Sequence, residues 1–208
     1  MKLRLRGIVF EISYPLAALM TAVILYDRSM SVLACLISVV IHESGHLLML
    51  RRYGCKPDRI RLTLFDIAIL DKRGALRGMK QELAVTVAGA AMNTLWGLLF
   101  LTAGQIWFRD SELLTLLVNA NFTLAFFNML PAETLDGGQA LLLILCSRLE
   151  PKKAMLIRDI VSVFFIIPLG ILGFLVLLRS VYNFTLLLTA VYLMAVLIMK
   201  DPHFERGK

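Results

Sequence analysis

The chain has little charge and few of the residues that mark soluble or secreted domains. Of its 208 residues only 18% are charged and 59% are hydrophobic, and the mean hydropathy is +0.78. Soluble domains average roughly 25% charged and 45–50% apolar residues. Three cysteines, Cys35, Cys55 and Cys146, without CxxC spacing predict neither a disulfide framework nor a zinc ribbon. The composition therefore predicts a polytopic membrane protein, organised as a single domain over residues 1–208.

Long apolar runs predict six membrane helices, because each run approaches the roughly 20 residues that cross a bilayer core. The runs are Gly7–Tyr26, Met30–Leu50, Gln81–Trp107, Leu113–Leu130, Ala154–Leu178 and Tyr182–Met199. No small-x-small cleavage site follows the first run, which favours a retained helix over a signal peptide. A shorter run, Gln139–Leu149, continues the fourth after a break at Pro131–Gly138. We expect an all-α membrane protein.

Basic residues are distributed unevenly between the two sides that these helices imply. Nineteen of the 22 lysines and arginines fall in the two termini and in residues 51–80 and 148–158, which leaves Arg28, Arg109 and Arg179 on the other side. The positive-inside rule makes the richer side cytoplasmic, with both termini there. The net charge of +7 therefore indicates topology and not a nucleic-acid partner. Alternation in Arg59–Leu64 predicts a small strand or hairpin in the cytoplasmic loop 51–80.

The segment His42-Glu43-Ser44-Gly45-His46 places an HExxH pattern inside the second apolar run. Histidines at i and i+4 share one helix face, and two imidazoles on one rigid element suit zinc. Glu43 lies on a neighbouring face, where it can act as a general base. The alternative, two core histidines and a buried glutamate, is weak because an uncompensated ionisable side chain in a membrane helix costs about 2.5 kcal/mol or more. We therefore predict one bound Zn²⁺ per chain.

A third protein ligand is needed, and the remaining histidine, His203, lies after the last helix. Position 52 is Arg52, which excludes a third histidine at the metzincin spacing. Asp136 is the best candidate, because proline and glycine interrupt the apolar run around it. Non-helical backbone at membrane depth is tolerated only where it is covered by protein or lines a water-filled cavity. Glu133 and Cys146 are the alternatives.

The predicted topology tests the pairing of the two motifs. His46 lies five residues before the basic end of its helix, or about 7 Å at 1.5 Å per residue. Asp136 follows the fourth apolar run, which ends on the same side of the membrane. The predicted active site therefore lies near the cytoplasmic face.

At these residues the chain resembles the site-2 protease family of intramembrane zinc metalloproteases. The two family signatures, HExxH and N-x-x-P-x-x-x-x-D-G, are both complete, the second at Asn128, Pro131, Asp136 and Gly137. The resemblance implies zinc ligands and a catalytic base. These are His42, His46 and Asp136 as ligands, with Glu43 as the base.

A weaker match is Gly89-Ala90-Ala91-Met92-Asn93, which is similar to a G-x-x-x-N element of the family. The resemblance implies that Asn93 helps to hold substrate or the oxyanion. The alternative is an interhelical hydrogen bond between closely packed helices. Asn128 is likewise implied to contact substrate, or else it caps broken backbone, and Pro131 shapes the loop.

The compact layout is most similar to the bacterial sporulation-type branch, without a CBS domain or a PDZ insertion. The resemblance implies cleavage of membrane-embedded or membrane-associated protein substrates, such as a pro-sigma or anti-sigma factor, in a bacterial cell membrane. We expect extended substrate to pair with the strand near Ile60–Leu64. Two other function classes stay open. These are a metal-binding transporter or channel, where broken helices also carry ligands, and a non-catalytic substrate-binding scaffold.

Overall fold

A computed structural model describes residues 2–5, 8–12, 21, 30–55, 59–62, 67–70, 78–106, 111–180 and 184–199. Among these residues, short strands occur in the N-terminal part and most of the others are helical. In chain order the elements are β1 (Lys2–Leu5), β2 (Ile8–Ile12), α1 (Ser31–Arg52), β3 (Arg59–Leu62), β4 (Ile67–Leu70), α2 (Met79–Ile106), α3 (Glu112–Asn128), α4 (Asp136–Cys146), α5 (Pro151–Arg179) and α6 (Thr185–Ile198). The chain divides into two compact units, Met1–Phe126 and Phe127–Lys208.

The helices carry the membrane character of the chain. Three of them, α1, α2 and α5, have 22, 28 and 29 residues and are long and apolar enough to cross a membrane, while α4 and α6 are shorter apolar helices. Five of the six predicted apolar runs coincide with α1, α2, α3, α5 and α6, with ends displaced by three residues or fewer. The prediction of a helical membrane protein is confirmed.

The predicted first helix is wrong at its beginning. Ile8–Ile12 is the strand β2, whose backbone pairs antiparallel with β1 and parallel with β3. Its partner in β3 lies about 50 residues further along the chain, as in the pair Val9 and Arg59, so no local period could reveal it. Residues 13–26 of the predicted helix lie outside the described residues, apart from Thr21, which is helical.

The four strands form one sheet in the order β1-β2-β3-β4. β3 and β4 pair antiparallel within the loop where the sequence predicts a strand or hairpin. β3 is hydrogen-bonded on both sides, by β2 and β4. The expected pairing of substrate with this strand is therefore wrong for residues 59–62. Among the described strands, the edges open to an added strand are β1 and β4.

In the first unit, α1 and α2 approach each other closely at glycines. A Cβ added at Gly45 would lie 2.9 Å from Met92 Cβ and from the carbonyl carbon of Ala88, and closer still to the Ala88 oxygen. Since a backbone carbonyl cannot move aside as a side chain can, only glycine permits this approach. The contact brings the His42–His46 face of α1 against α2.

The second unit has a small apolar core around the segment between α3 and α4. Ala132, Ile166 and Leu193 are buried together, which joins this segment to α5 and α6. α5 and α6 pack closely at Gly173, where an added Cβ would lie 2.6 Å from the backbone nitrogen of Leu187. The segment that precedes Asp136 is therefore held by two helices of its own unit.

Candidate metal centre

His42 and His46 present their imidazoles on one face of α1, as the i, i+4 spacing predicts. His42 is buried and His46 is half-buried. Their ring centroids are 4.9 Å apart with the ring planes at 75°, and their Nε2 atoms are 3.2 Å apart. The two Nε2 atoms therefore converge on one point beside the helix.

The other nitrogen of each ring faces an oxygen atom on α2. His42 Nδ1 lies 2.7 Å from Asn93 Oδ1, and His46 Nδ1 lies 2.8 Å from the carbonyl oxygen of Val85. Such oxygens only accept hydrogen bonds, so each Nδ1 donates, and in the neutral form of each ring the Nε2 then carries the lone pair. Two lone pairs 3.2 Å apart repel each other, and a cation that both can bind removes the repulsion. The pair fits zinc, which binds neutral imidazole nitrogen whose other N–H is hydrogen-bonded.

Gly89 on α2 provides the space that the two rings occupy. A Cβ at this position would lie 2.6 Å from His42 Nε2, 2.7 Å from His42 Cε1, and closer still to His46 Nε2. Any side chain at position 89 would therefore fill the place where the Nε2 atoms meet. The glycine of the Gly89–Asn93 element thus has a direct steric role at the histidine pair.

Asn93 is fully buried and connects three helices. Its Nδ2 donates to the carbonyl oxygen of Ser38 on α1 at 2.9 Å and to Asn121 Oδ1 on α3 at 2.8 Å. Both amide hydrogens are thus used within the protein, which leaves no donor for a substrate oxyanion in this arrangement. The sequence reasoning missed Ser38 and Asn121, which are also buried. Their polar side chains inside otherwise apolar helices are the sequence signal that could have identified Ser38 and Asn121.

Glu43 follows His42 directly in α1. The residue is half-buried, whereas His42 before it is buried and Ser44 after it is exposed. The helix therefore places a carboxylate one residue from the histidine pair, on the neighbouring face. A carboxylate there can exchange a proton with a water molecule or a substrate group at the pair.

Asp136 belongs to the second unit, where it is the first residue of α4 and is half-buried. The turn before it is tight, because a Cβ at Gly137 would lie 2.5 Å from the Leu130 oxygen and a Cβ at Gly138 would lie 3.0 Å from Glu133 N. The two glycines that follow Asp136 therefore let the chain reverse direction and begin a helix at once. A carboxylate at a helix N-terminus is also favoured by the helix dipole.

The residues between α3 and α4 are held by α5. Ser162 Oγ donates to the Pro131 carbonyl oxygen at 2.9 Å. Arg158, only 3% exposed, donates from Nη2 to Glu133 at 3.0 Å and to Asp159 at 2.7 Å. The charge count placed residues 148–158 on the cytoplasmic side, and within this range the structure buries Arg158. Asn128 ends α3 and is half-buried.

The two alternatives to Asp136 as a ligand have other places in the second unit. The Glu133 carboxylate is ion-paired with Arg158. Cys146 ends α4, ten residues after Asp136, or about 15 Å along a helix. The unit therefore presents Asp136 and Cys146 at opposite ends of one helix.

Several characterised proteins are similar to this chain, although no family model matches it. A zinc metalloprotease of Methanocaldococcus jannaschii is 32% identical over 116 residues, which are 54% of this chain and 33% of that protein. Stage IV sporulation protein FB of Bacillus subtilis is 27% identical over 158 residues, which are 76% of this chain and 55% of that protein. The chain thus spans about a third to a half of these relatives.

A solved structure has the same fold. The site-2 protease of Methanocaldococcus jannaschii superposes with a TM-score of 0.66 at 23% identity, over 95% of this chain and 93% of that one. At this identity the likeness concerns the fold. A shared fold agrees with the resemblance that the two sequence motifs, HExxH and N-x-x-P-x-x-x-x-D-G, indicate.

Proposed function

We propose that this chain belongs to the site-2 protease family and is an intramembrane zinc metalloprotease that hydrolyses peptide bonds of membrane-embedded or membrane-associated proteins. One observation carries the proposal. The Nε2 atoms of His42 and His46 converge to 3.2 Å while both Nδ1 atoms face oxygen acceptors. When both rings are neutral, this geometry directs two nitrogen lone pairs to one point, which is the arrangement that metal-ligating histidines adopt.

We infer that His42, His46 and Asp136 hold one Zn²⁺. These three are the metal-ligand candidates that the described residues offer. Their chemistry, two imidazoles and a carboxylate, is a ligand set of catalytic zinc, which keeps a fourth position open. When bound, zinc supplies Lewis-acid polarisation of the scissile carbonyl and lowers the pKa of water.

Glu43 is the proposed general base and acid. Its carboxylate takes a proton from the attacking water and returns a proton to the leaving amine when the peptide bond breaks. A positioned acid–base group of this kind contributes roughly 10²–10⁴-fold in rate. Half-burial supports this role, because the carboxylate is then reachable from the site yet partly shielded from solvent.

The proposed protein spans a bacterial cell membrane six times, with both termini and the active site near the cytoplasmic side. The lysines and arginines in the loop 51–80 and in the two termini support this orientation. For substrate, β4 is the proposed docking edge, since β3 is already paired on both sides. An extended substrate segment added to β4 would gain main-chain hydrogen bonds.

The decisive experiment compares wild type, Glu43→Gln and Ser44→Ala in proteoliposomes with a membrane-tethered model substrate. Glu43→Gln should retain about one zinc per chain by elemental analysis and lose cleavage by roughly 10²-fold or more. Ser44 is exposed and its hydroxyl donates to the Ile41 oxygen in the preceding turn of the same helix, so Ser44→Ala should cleave normally. Wild-type cleavage by Glu43→Gln would disprove the mechanism, and active wild type with far less than one zinc per chain would disprove the metal assignment.

A further inference from the structure

We propose that Asn93, Asn121 and Ser38 form a polar relay that keeps the ring hydrogen of neutral His42 on Nδ1, so that the Nε2 lone pair can bind metal. Asn93 is the positioning residue, and Asn121 and Ser38 orient it. The proposal rests on the proposed zinc function for its purpose, but its central test reads the state of the ring and not activity.

The direction of each hydrogen bond in the relay is fixed at the end farthest from His42, at Asn121 and Ser38. Asn121 Nδ2 lies 2.8 Å from the Leu117 carbonyl oxygen, which can only accept, and 2.9 Å from Ser38 Oγ. The Ser38 hydroxyl donates its own hydrogen to the Ala34 carbonyl oxygen at 2.9 Å. Ser38 Oγ must therefore accept from Asn121. The Asn121 amide is oriented with Nδ2 toward these two acceptors and Oδ1 toward Asn93.

The same polarity passes through Asn93 to His42. Asn93 Nδ2 faces the Ser38 carbonyl oxygen and Asn121 Oδ1, which are both acceptors. A flipped Asn93 amide would point its oxygen at two other oxygens. Asn93 Oδ1 is therefore the atom that faces His42 Nδ1, and that nitrogen must carry the hydrogen.

Burial makes the orientation strict. Asn93 and Asn121 are 0% exposed and Ser38 is 1% exposed. No bulk water can compensate a flipped amide there, and an unmatched polar group is most costly in a low-dielectric interior. Partners that orient a ligating histidine typically change metal affinity by roughly 10–100-fold when they are lost.

His46 serves as an internal control for the tautomer of His42. Its Nδ1 faces the backbone carbonyl oxygen of Val85, which no substitution removes. Loss of the relay should therefore change His42 alone. General damage to the fold would change both rings, because they lie on one helix with their Nε2 atoms 3.2 Å apart.

The test uses full-length protein in detergent, labelled with ¹⁵N-histidine, after zinc is removed by chelation. Long-range ¹H–¹⁵N spectra at about pH 9, well above the usual histidine pKa of ~6.5, report which nitrogen carries hydrogen. The chain has three histidines, and His203→Gln leaves the two of interest. In wild type we expect both rings to be protonated on Nδ1.

Asn93→Leu should convert His42 to a mixture of tautomers, leave His46 unchanged, and weaken Zn²⁺ binding by about 10–100-fold in competition with a chelating dye. Asn93→Asp keeps an acceptor for His42 and should restore its tautomer, even where folding is weakened. Asn121→Leu should weaken zinc binding by less than Asn93→Leu. Asn119→Leu, which replaces an exposed asparagine on the same helix, should match wild type.

Two outcomes would overturn the proposal. One is wild-type His42 protonated on Nε2 in the zinc-free protein. The other is unchanged His42 tautomer and zinc affinity in both Asn93→Leu and Asn121→Leu. A wild type that shows the expected tautomers and binds zinc, yet cleaves nothing, would refute the proposed protease function and leave the relay intact.

Discussion

Replacement of Gly89 by alanine tests the proposed metal centre most directly, because it adds one methyl group where the two imidazoles meet. The added Cβ would lie 2.6 Å from His42 Nε2, whereas ordinary contacts begin at 3.4 Å. The ring or the helix must therefore move by about 0.8 Å, the difference between these two distances. His46 Nε2 is crowded even more. The substitution should displace both proposed ligands at once.

The magnitude follows from two opposing effects. Alanine in place of glycine favours a helix by about 1 kcal/mol, and overpacking of this kind costs about 1–3 kcal/mol. Global stability should therefore fall by at most about 2 kcal/mol. If the steric cost falls on the metal-binding arrangement, zinc affinity should decrease about 5- to 140-fold, since about 1.4 kcal/mol corresponds to a factor of ten.

Two other glycines of α2 are matched controls. An added Cβ at Gly97 would meet the Phe122 ring at 3.2 Å, which is a side chain that can shift, and one at Gly104 would meet nothing within 4 Å. Gly97→Ala should therefore have a small effect and Gly104→Ala none on zinc affinity, measured by competition with a chelating dye. Thermal unfolding with and without chelator would separate metal binding from fold stability. Wild-type zinc affinity in Gly89→Ala would refute the claim that the two imidazoles bind zinc at the place where a side chain at position 89 would lie.

Three further predictions concern the other helix contacts and the third ligand. Asp136→Ala should weaken zinc binding by more than about 100-fold, beyond the effect of an outer-shell partner, while Cys146→Ala should bind zinc normally; the reverse pattern would make the cysteine the ligand. Gly45→Ala should lower the free energy of unfolding by about 2 kcal/mol, because overpacking against backbone atoms of α2 costs about 3 kcal/mol and helix propensity returns only about 1 kcal/mol. An unchanged unfolding temperature would contradict that contact. Arg158→Met should destabilise the protein by about 3–5 kcal/mol, since it leaves a partly buried carboxylate without its guanidinium. Added Glu133→Gln should restore part of that loss, and no coupling in the double-mutant cycle would argue against the ion pair.

The sequence predicted five of the described helices well, because each coincides with a long apolar run in the sequence. It failed at Ile8–Ile12, where an equally apolar segment is a strand paired with residues 59–62. Apolar character is common to buried strands and membrane helices, so the period alone cannot separate them. The break before Asp136 was predictable, since proline and glycine are local signals.

The site was predictable where it depends on spacing within one helix. The i, i+4 pair of His42 and His46 and the adjacent Glu43 follow from helix geometry alone. The role of Asn93 could not be predicted in this way, because the sequence was consistent both with substrate binding and with an interhelical hydrogen bond. Its contact with His42 depends on how α2 crosses α1, which in turn depends on glycines at the crossing.

The amino-acid sequence by itself determined the membrane character of this protein, the histidine pair with its neighbouring carboxylate, and the Pro- and Gly-broken segment that leads to Asp136. The membrane character is encoded by composition and long apolar runs, and the other two features by residues that lie close together in the sequence. Only the tertiary structure decided which nitrogen of His42 faces Asn93, why position 89 must lack a side chain, and that Arg158 is buried. Each of these depends on contacts between elements distant in the chain, where hydrogen-bond polarity and steric fit are established only when the helices pack.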